Sequence, residues 1–101
     1  MYVVQLLLPL YDNQNVPIAD AVMKDLRERL VDRFGGVTAF SRTPAEGVWS
    51  DHGRKIRDDV ILVEVMVPAI DSIWWAGFRE HIEHVMRQKS VVVRALPATR
   101  L

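Results

Sequence analysis

Residues 59–67 read DVILVEVMV, and five of these nine residues are valine or isoleucine. β-Branched side chains are enriched in strands because they pack well on a half-buried, pleated surface. Pro68 follows directly and ends the segment, since proline has no N–H to donate to a strand ladder. The sequence therefore predicts that residues 59–67 form the strongest strand of the chain.

Three more segments have the apolar content and the flanking turns of strands. They are YVVQLLLPL at 2–10, VTAFSRT at 37–43 and VVVRAL at 91–96, and Pro97 stops the last of them. Segment 2–10 is predicted to be a central strand, because it is a short and strongly apolar run like residues 59–67.

A first helix is predicted between the first two strands. Its apolar residues recur at helical spacing from Ala19 to Phe34, after an opening at Pro17 that loses no hydrogen bond. Gly35-Gly36 ends this helix, since glycine accepts the left-handed conformation of a helix cap without penalty.

A second helix is predicted between the last two strands, with Asp71 or Ser72 as its N-cap. Its apolar residues share one face of the helix. They are Trp75, Phe78, Ile82, Val85 and Met86.

The predicted order of elements is β-α-β-β-α-β within a single domain, residues 1–101. This is the order of the ferredoxin-like split βαβ arrangement, an α+β sandwich with one four-stranded antiparallel sheet and two helices on one face. Right-handed connections place strands 1 and 3 at the centre and strands 2 and 4 at the edges. The predicted spatial order of the strands is therefore 4-1-3-2.

Residues 30–67 also carry a resemblance. The run FGGVTAFSRTPAEGVW, a following D-x-G turn and the strand DDVILVEVMV are similar to those of small uncharacterised bacterial proteins of ferredoxin-like fold. In those proteins a helix ends in glycine, a strand runs into an aromatic-tipped hairpin, and a long central strand follows. The resemblance implies the fold and dimerisation, and it carries over no catalytic residue.

The charges of the chain are balanced, with 13 basic and 13 acidic residues. This balance argues against binding to nucleic acid, which requires a basic patch on the protein to contact the phosphate backbone.

The chain has no cysteine, so disulfides, thiol nucleophiles and cysteine-ligated metals are excluded. Its apolar start lacks the basic lead of a signal peptide and is too short to span a membrane. We therefore expect a cytoplasmic protein with no cofactor and no membrane partner.

One polar patch, VWSDHGRK at residues 48–55, combines His52 with an acid, a glycine and two cations. In the favoured interpretation it is the tip of a hairpin, in which Trp49-Ser50 pairs back onto Lys55-Ile56. Residues 51–54 then form the turn, because aspartate and glycine are the residues that short hairpin turns require.

A second polar patch, REHIEHV at residues 79–85, places His81 and His84 three residues apart on a helix surface. The favoured interpretation is a solvated shoulder of the helix. The alternative is a metal site, which requires His52, His81 and His84 to converge, because two imidazoles alone do not complete a coordination shell.

Strand alternation predicts which residues face the helices and which face away. The helix side carries Val4, Leu6, Leu8, Ile61, Val63, Val65 and Val67. The opposite side, which we call the open face, carries Val3, Gln5, Leu7, Val60, Leu62, Glu64, Met66, Val92, Arg94 and Leu96.

The open face is largely apolar, although no element of the chain is left to cover it. Apolar patches beyond a few hundred Å² usually mark an interaction surface. We therefore predict a homodimer in which the open faces pack together or close into a joint barrel, since two-fold pairing is the commonest form of soluble oligomer. The alternative is pairing through an edge strand, 2 or 4.

Three polar residues interrupt the open face. Arg94, Gln5 and Glu64 fall on adjacent strands in the predicted order, and Arg42 on strand 2 is a candidate to extend the row unless Phe40 takes the core side. A carboxylate buried alone is costly, so Glu64 should have a partner in the same chain or in a second subunit. The row is interpreted either as a device that fixes register and dimer specificity or as a ligand-binding floor with Glu64 as a general base.

No catalytic motif accompanies this architecture, and the sequence leaves open whether the protein is an enzyme. A non-catalytic interaction or structural module is favoured, because no nucleophile elbow or phosphate loop is present. The alternative is a small-molecule-binding protein or cofactor-free enzyme of the dimeric ferredoxin-like (α+β barrel) kind, by analogy of fold. The candidates to line its pocket are Trp74, Trp75, Phe78, His81 and Met66, although Trp75 and Phe78 are favoured as core residues.

Overall fold

A computed structural model of the chain describes residues 1–35, 38–41, 47–51, 54–58 and 60–101, and in the three short segments it describes the backbone pairing only. Eight elements lie in this part of the chain. They are β1 (Tyr2–Pro9), α1 (Asp20–Phe34), β2 (Thr38–Ser41), β3 (Gly47–Asp51), β4 (Arg54–Asp58), β5 (Val60–Val67), α2 (Ser72–Val85) and β6 (Val92–Pro97).

Strands β5, β1 and β6 form the antiparallel centre of an open sheet, and β2 pairs along the outer edge of β5. All eight residues of β1 have a partner on β5. The pairing of β2 with β5 is short, and its register shifts between Thr38 and Phe40. Two helices and an open antiparallel sheet confirm the predicted α+β class.

Strands β3 and β4 form a separate two-stranded hairpin. The predicted β-α-β-β-α-β order is therefore wrong in the number of strands, because the segment between β2 and β5 pairs with itself. Trp49 lies opposite Ile56 and Ser50 opposite Lys55, as the hairpin interpretation predicted. Asp51 also pairs with Arg54, so these two residues belong to the strands and not to the turn.

One face of the sheet and both helices share a single apolar core. From Val4 to Leu8 on β1 and from Val63 to Val67 on β5 every second side chain is buried, as the period of a half-buried strand requires. The buried strand residues are Val4, Leu6, Leu8, Val63, Val65 and Val67, each at most 4% exposed. The helices complete the core with Leu26, Leu30, Trp75, Phe78 and Ile82. Six of the seven residues predicted on the helix side are thus buried, and the seventh, Ile61, is half-buried and packs against the core.

Helix α1 begins three residues after the position that the sequence indicated. Its N-cap is Ala19, which makes no side-chain cap hydrogen bond, and Pro17 forms an isolated β-bridge with Tyr11. The prediction of an opening at Pro17 is therefore wrong, because that bridge holds the residue in the loop. At the other end Gly35 has a φ of 75° and its N–H donates to the carbonyl of Val31, so the predicted glycine cap is confirmed.

Asp71 joins the two helices at their adjoining ends. Its Oδ1 accepts a hydrogen bond from the backbone N–H of Trp74 at 3.1 Å, which makes Asp71 the N-cap of α2, as predicted. Its Oδ2 accepts a hydrogen bond from Nη2 of Arg33, in the last turn of α1, at 3.1 Å. One carboxylate therefore satisfies a free N–H of α2 and also ties α1 to it.

Replacing Asp71 with alanine should lower the free energy of unfolding by about 1–2 kcal/mol, because the N-cap is lost. The ion pair adds little, since both side chains are substantially exposed. Asp71→Ser is the matched control, because serine keeps a cap acceptor and loses only the ion pair, and it should retain most of the stability. Urea denaturation of the wild type and the two variants measures the free energies of unfolding. Equal losses for alanine and serine would contradict the capping role.

Candidate functional site

The open face is built as three rows that run across the strands. The register places Leu96, Val3 and Met66 side by side, then Arg94, Gln5 and Glu64, then Val92, Leu7 and Leu62. Two apolar rows therefore enclose one row of polar residues, which we call the polar row. The sequence predicted both the side of the sheet and the order of these residues.

The apolar rows are accessible in the single chain. Met66, Val92 and Leu96 are 43%, 49% and 45% exposed, and Val3 and Leu7 on the central strand are half-buried. All of these lie on the side of the sheet away from both helices, because the register sets them beside Val3 and Leu7, whose neighbours Val4, Leu6 and Leu8 on β1 are buried in the core. The face is thus an apolar surface with a polar middle.

Gln5 links the two charged residues of the polar row. Its Nε2 donates to Oε2 of Glu64 at 3.2 Å, and its Oε1 accepts from Nε of Arg94 at 2.7 Å. The amide thus turns its donor toward the acid and its acceptor toward the cation. Hydrogen bonds to charged groups are stronger than those between neutral groups. The row is a hydrogen-bonded unit with positive charge at one end and negative charge at the other.

The outer end of the polar row lies beside β2. Thr38 is the residue of β2 in register with Glu64. Arg42, the predicted extension of the row, lies outside the described residues. Adjacent strands lie about 4.8 Å apart, so the charged ends of the row are separated by about 10 Å across the sheet.

A second depression lies on the other side of the molecule, between α1 and α2. It is lined by Arg29, Asp32, Arg33, Ile73, Trp74, Gly77, Phe78 and His81. Trp74 is occupied by contacts within the chain: the guanidinium carbon of Arg33 lies 4.5 Å from its ring centroid, and Phe78 stacks on it at 4.9 Å. Nε2 of His81 is buried and has no hydrogen-bond partner among the described residues. The aromatic residues of this depression are thus in contact with one another or with Arg33.

The residues predicted to line one pocket are therefore divided between two surfaces. Met66 lies on the open face, whereas Trp74 and His81 lie by the helices, and the sheet separates them. Trp75 and Phe78 are each 6% exposed and belong to the core, which confirms their packing role. Of the candidate ligand-binding residues, the structure brings together Gln5, Glu64 and Arg94, and it places Trp74 and His81 apart from them.

The histidines do not form a common group within the described residues. His81 lines the depression between the helices, whereas His84 is exposed and lines a separate depression beside Gln88 and Lys89. His52 lies outside the described residues. Within the part of the chain that the structure describes, no three potential ligands lie close enough together to hold a metal ion.

Sequence patterns missed the contact between Arg33 and Asp71. The two residues are 38 positions apart, and only the packing of α1 beside α2 brings them together. Ile73 is 88% exposed, since it lies about 180° around α2 from the buried Ile82.

No protein-family model matches the chain, and none of the curated proteins compared with it matches. Among the described residues, neither helix has the length and apolar character needed to cross a bilayer. The open face and its polar row are thus the features on which a function can be argued.

Proposed function

We propose that this chain is a ferredoxin-like α+β domain that acts as a homodimeric interaction module through its open face. Two features support the fold assignment: strands β6, β1, β5 and β2 follow one another in the sheet, and both helices contribute to one core on one side. Among the described elements, no helix packs on the other side of the sheet.

The observation that carries the proposal is the apolar character of the open face. Six of the nine positions in its three rows are apolar, and those on β6 and Met66 are between 43% and 49% exposed. Burial of apolar surface is worth about 25 cal/mol per Å². A second copy of the chain has the same apolar rows, so the open faces of two copies can cover each other in a two-fold dimer.

The direct test is the mass of the chain in solution. We expect sedimentation equilibrium at micromolar concentrations to give twice the chain mass of 11.6 kDa. A single species of 11.6 kDa over the same range would contradict the proposal. A dimer that survives disruption of the open face would instead favour pairing through an edge strand.

A second candidate function is binding of a small molecule at the seam of the dimer. The observation that favours it is the polar row, since a carboxylate and a guanidinium joined by an amide offer directed polar contacts on an apolar surface. This is the same site, used for a ligand instead of for assembly alone.

Glu64→Gln separates the two functions. Glutamine has nearly the same shape but no charge, so a structural role predicts a weaker dimer or a lower melting temperature. A ligand-binding role predicts that the dimer persists while the ligand no longer raises the melting temperature. In the wild type, a ligand at a hundred times its dissociation constant should stabilise the fold by about 2.7 kcal/mol. A variant that is unchanged in both respects would contradict both roles for Glu64.

A further inference from the structure

We propose that the polar row pairs with itself across a two-fold axis that runs along β1 over Gln5. In this dimer Arg94 of each copy faces Glu64 of the other. The inference rests on the proposed dimerisation through the open face, and it assigns the geometry of that dimer and the residues that select it.

The apolar rows alone do not select a geometry. Two simple two-fold stackings superpose the polar row of one copy on that of the other. With the axis along the strands, each apolar row meets its own copy. With the axis across the strands, the row of Leu96, Val3 and Met66 meets the row of Val92, Leu7 and Leu62. Both stackings bury the same apolar residues.

The charges of the polar row do select a geometry. Across the sheet the row reads Arg94, Gln5, Glu64, which is positive, neutral, negative. An axis along the strands reverses this order in the second copy and sets each cation against an acid. An axis across the strands keeps the order and sets Arg94 against Arg94 and Glu64 against Glu64. Like charges brought together away from water are costly, so the first stacking is favoured.

The polar row also needs such a partner once it is covered. In the described part of the chain, Arg94 and Glu64 each bond to Gln5 and neither forms an ion pair. Covering the face removes water from both charges, and a buried charge requires a countercharge. Stacked sheets lie about 10 Å apart, a gap that the long side chains of arginine and glutamate span from either side.

Charge substitutions can test the axis. Arg94→Glu and Glu64→Arg each create two like-charge contacts in the proposed dimer, so each variant alone should dimerise at least ten-fold more weakly than the wild type. A mixture of the two variants should recover dimers, because the mixed dimer has two opposite-charge contacts. The variant that carries both substitutions exchanges the charges, retains the composition of the chain, and should dimerise like the wild type.

The decisive measurement mixes the wild type with this double variant, one of the two labelled with ¹⁵N, and counts the species by native mass spectrometry. The proposed axis sets like charges against each other in the mixed dimer, so mixed dimers should be several-fold scarcer than random assortment gives. An excess of mixed dimers would overturn the axis in favour of the one across the strands. Random assortment would show that the row is not at the interface. Both results leave dimerisation intact, whereas a monomeric wild type would overturn dimerisation and the axis together.

Discussion

Replacing Met66 with glutamate should separate the proposed dimer into folded monomers. Met66 is 43% exposed and lies in an apolar row of the open face, beside Val3 on the central strand. The effective cost of burying an unpaired ion in a protein is several kcal/mol, and a symmetric interface incurs it twice. We expect the dissociation constant to rise at least about 100-fold, which corresponds to about 2.7 kcal/mol. Sedimentation velocity over a dilution series measures the change.

Ile73→Glu is the matched control for this substitution. Ile73 is 88% exposed, so the same change of an accessible apolar residue is made at the start of α2, on the opposite side of the molecule. It should leave the dissociation constant unchanged within a factor of about two, since surface substitutions away from an interface usually have small effects. If Ile73→Glu dissociated the dimer and Met66→Glu did not, the helices and not the open face would form the interface.

Leu6→Ala and Leu7→Ala should affect different properties although the residues are adjacent: the first the stability of the subunit, the second its association. Leu6 is fully buried in the core, so its truncation should lower the free energy of unfolding by about 2–5 kcal/mol. For a domain of this size that corresponds to a fall in melting temperature of at least about 10 °C. Leu7 is half-buried and lies on the open face, so its truncation should mainly weaken the dimer.

Calorimetry and sedimentation at one fixed protein concentration separate these two effects, because the melting temperature of a dimer depends on concentration. Leu6→Ala should melt early and still associate when folded. Leu7→Ala should lose association and keep most of the stability of the subunit. Two variants with the same early melting would show that both faces of β1 are equally buried in the subunit, and the distinction between the core side and the open face would be wrong.

The central strands could be predicted from the sequence because burial on one side imposes a period of two. Val63 and Val65 are buried while Glu64 between them is not, and that contrast is visible in the sequence alone. Asp71 could be predicted as a helix cap because capping depends on residues within one turn. The helix cap is set by neighbouring residues, and the buried side of a strand is set by a pattern that repeats along that strand. Both can be read without knowing which segments pack together.

The errors in the fold occur where strand or bridge pairing replaces the structure that the local pattern indicates. Pro17 resembles the start of a helix, but its bridge to Tyr11 holds it in the loop. Strand β4 reads RKIRD, with a single apolar residue, so it carries no alternation that marks a strand. The turn residues between Trp49 and Lys55 predict the hairpin instead, but the predicted order of elements does not count its two strands.

For the candidate site, the sequence predicts which residues share a face of the sheet but not how their side chains are oriented. Alternation placed Gln5, Glu64 and Arg94 on one face, but the direction of the Gln5 amide depends on side-chain geometry and not on spacing. The prediction groups Trp74 and His81 with Met66 by analogy of fold, since related dimers hold a pocket between sheet and helices or at the dimer seam. Their separation follows from the side of the sheet on which α2 packs, which is a property of the assembled core.

The register shift between Thr38 and Phe40 bears on how far assembly can proceed. Sheets resist growth into fibres when their edge strands are short or irregular, carry charge, or contain proline. At one edge β2 has four residues and a shifted register, and at the other edge β6 carries Arg94 and ends at Pro97. Neither edge is a good template for another strand. In the proposed dimer, by contrast, each open face is buried against the other, so no apolar face is left to bind a third copy. Concentrated solutions should therefore contain dimers and not filaments.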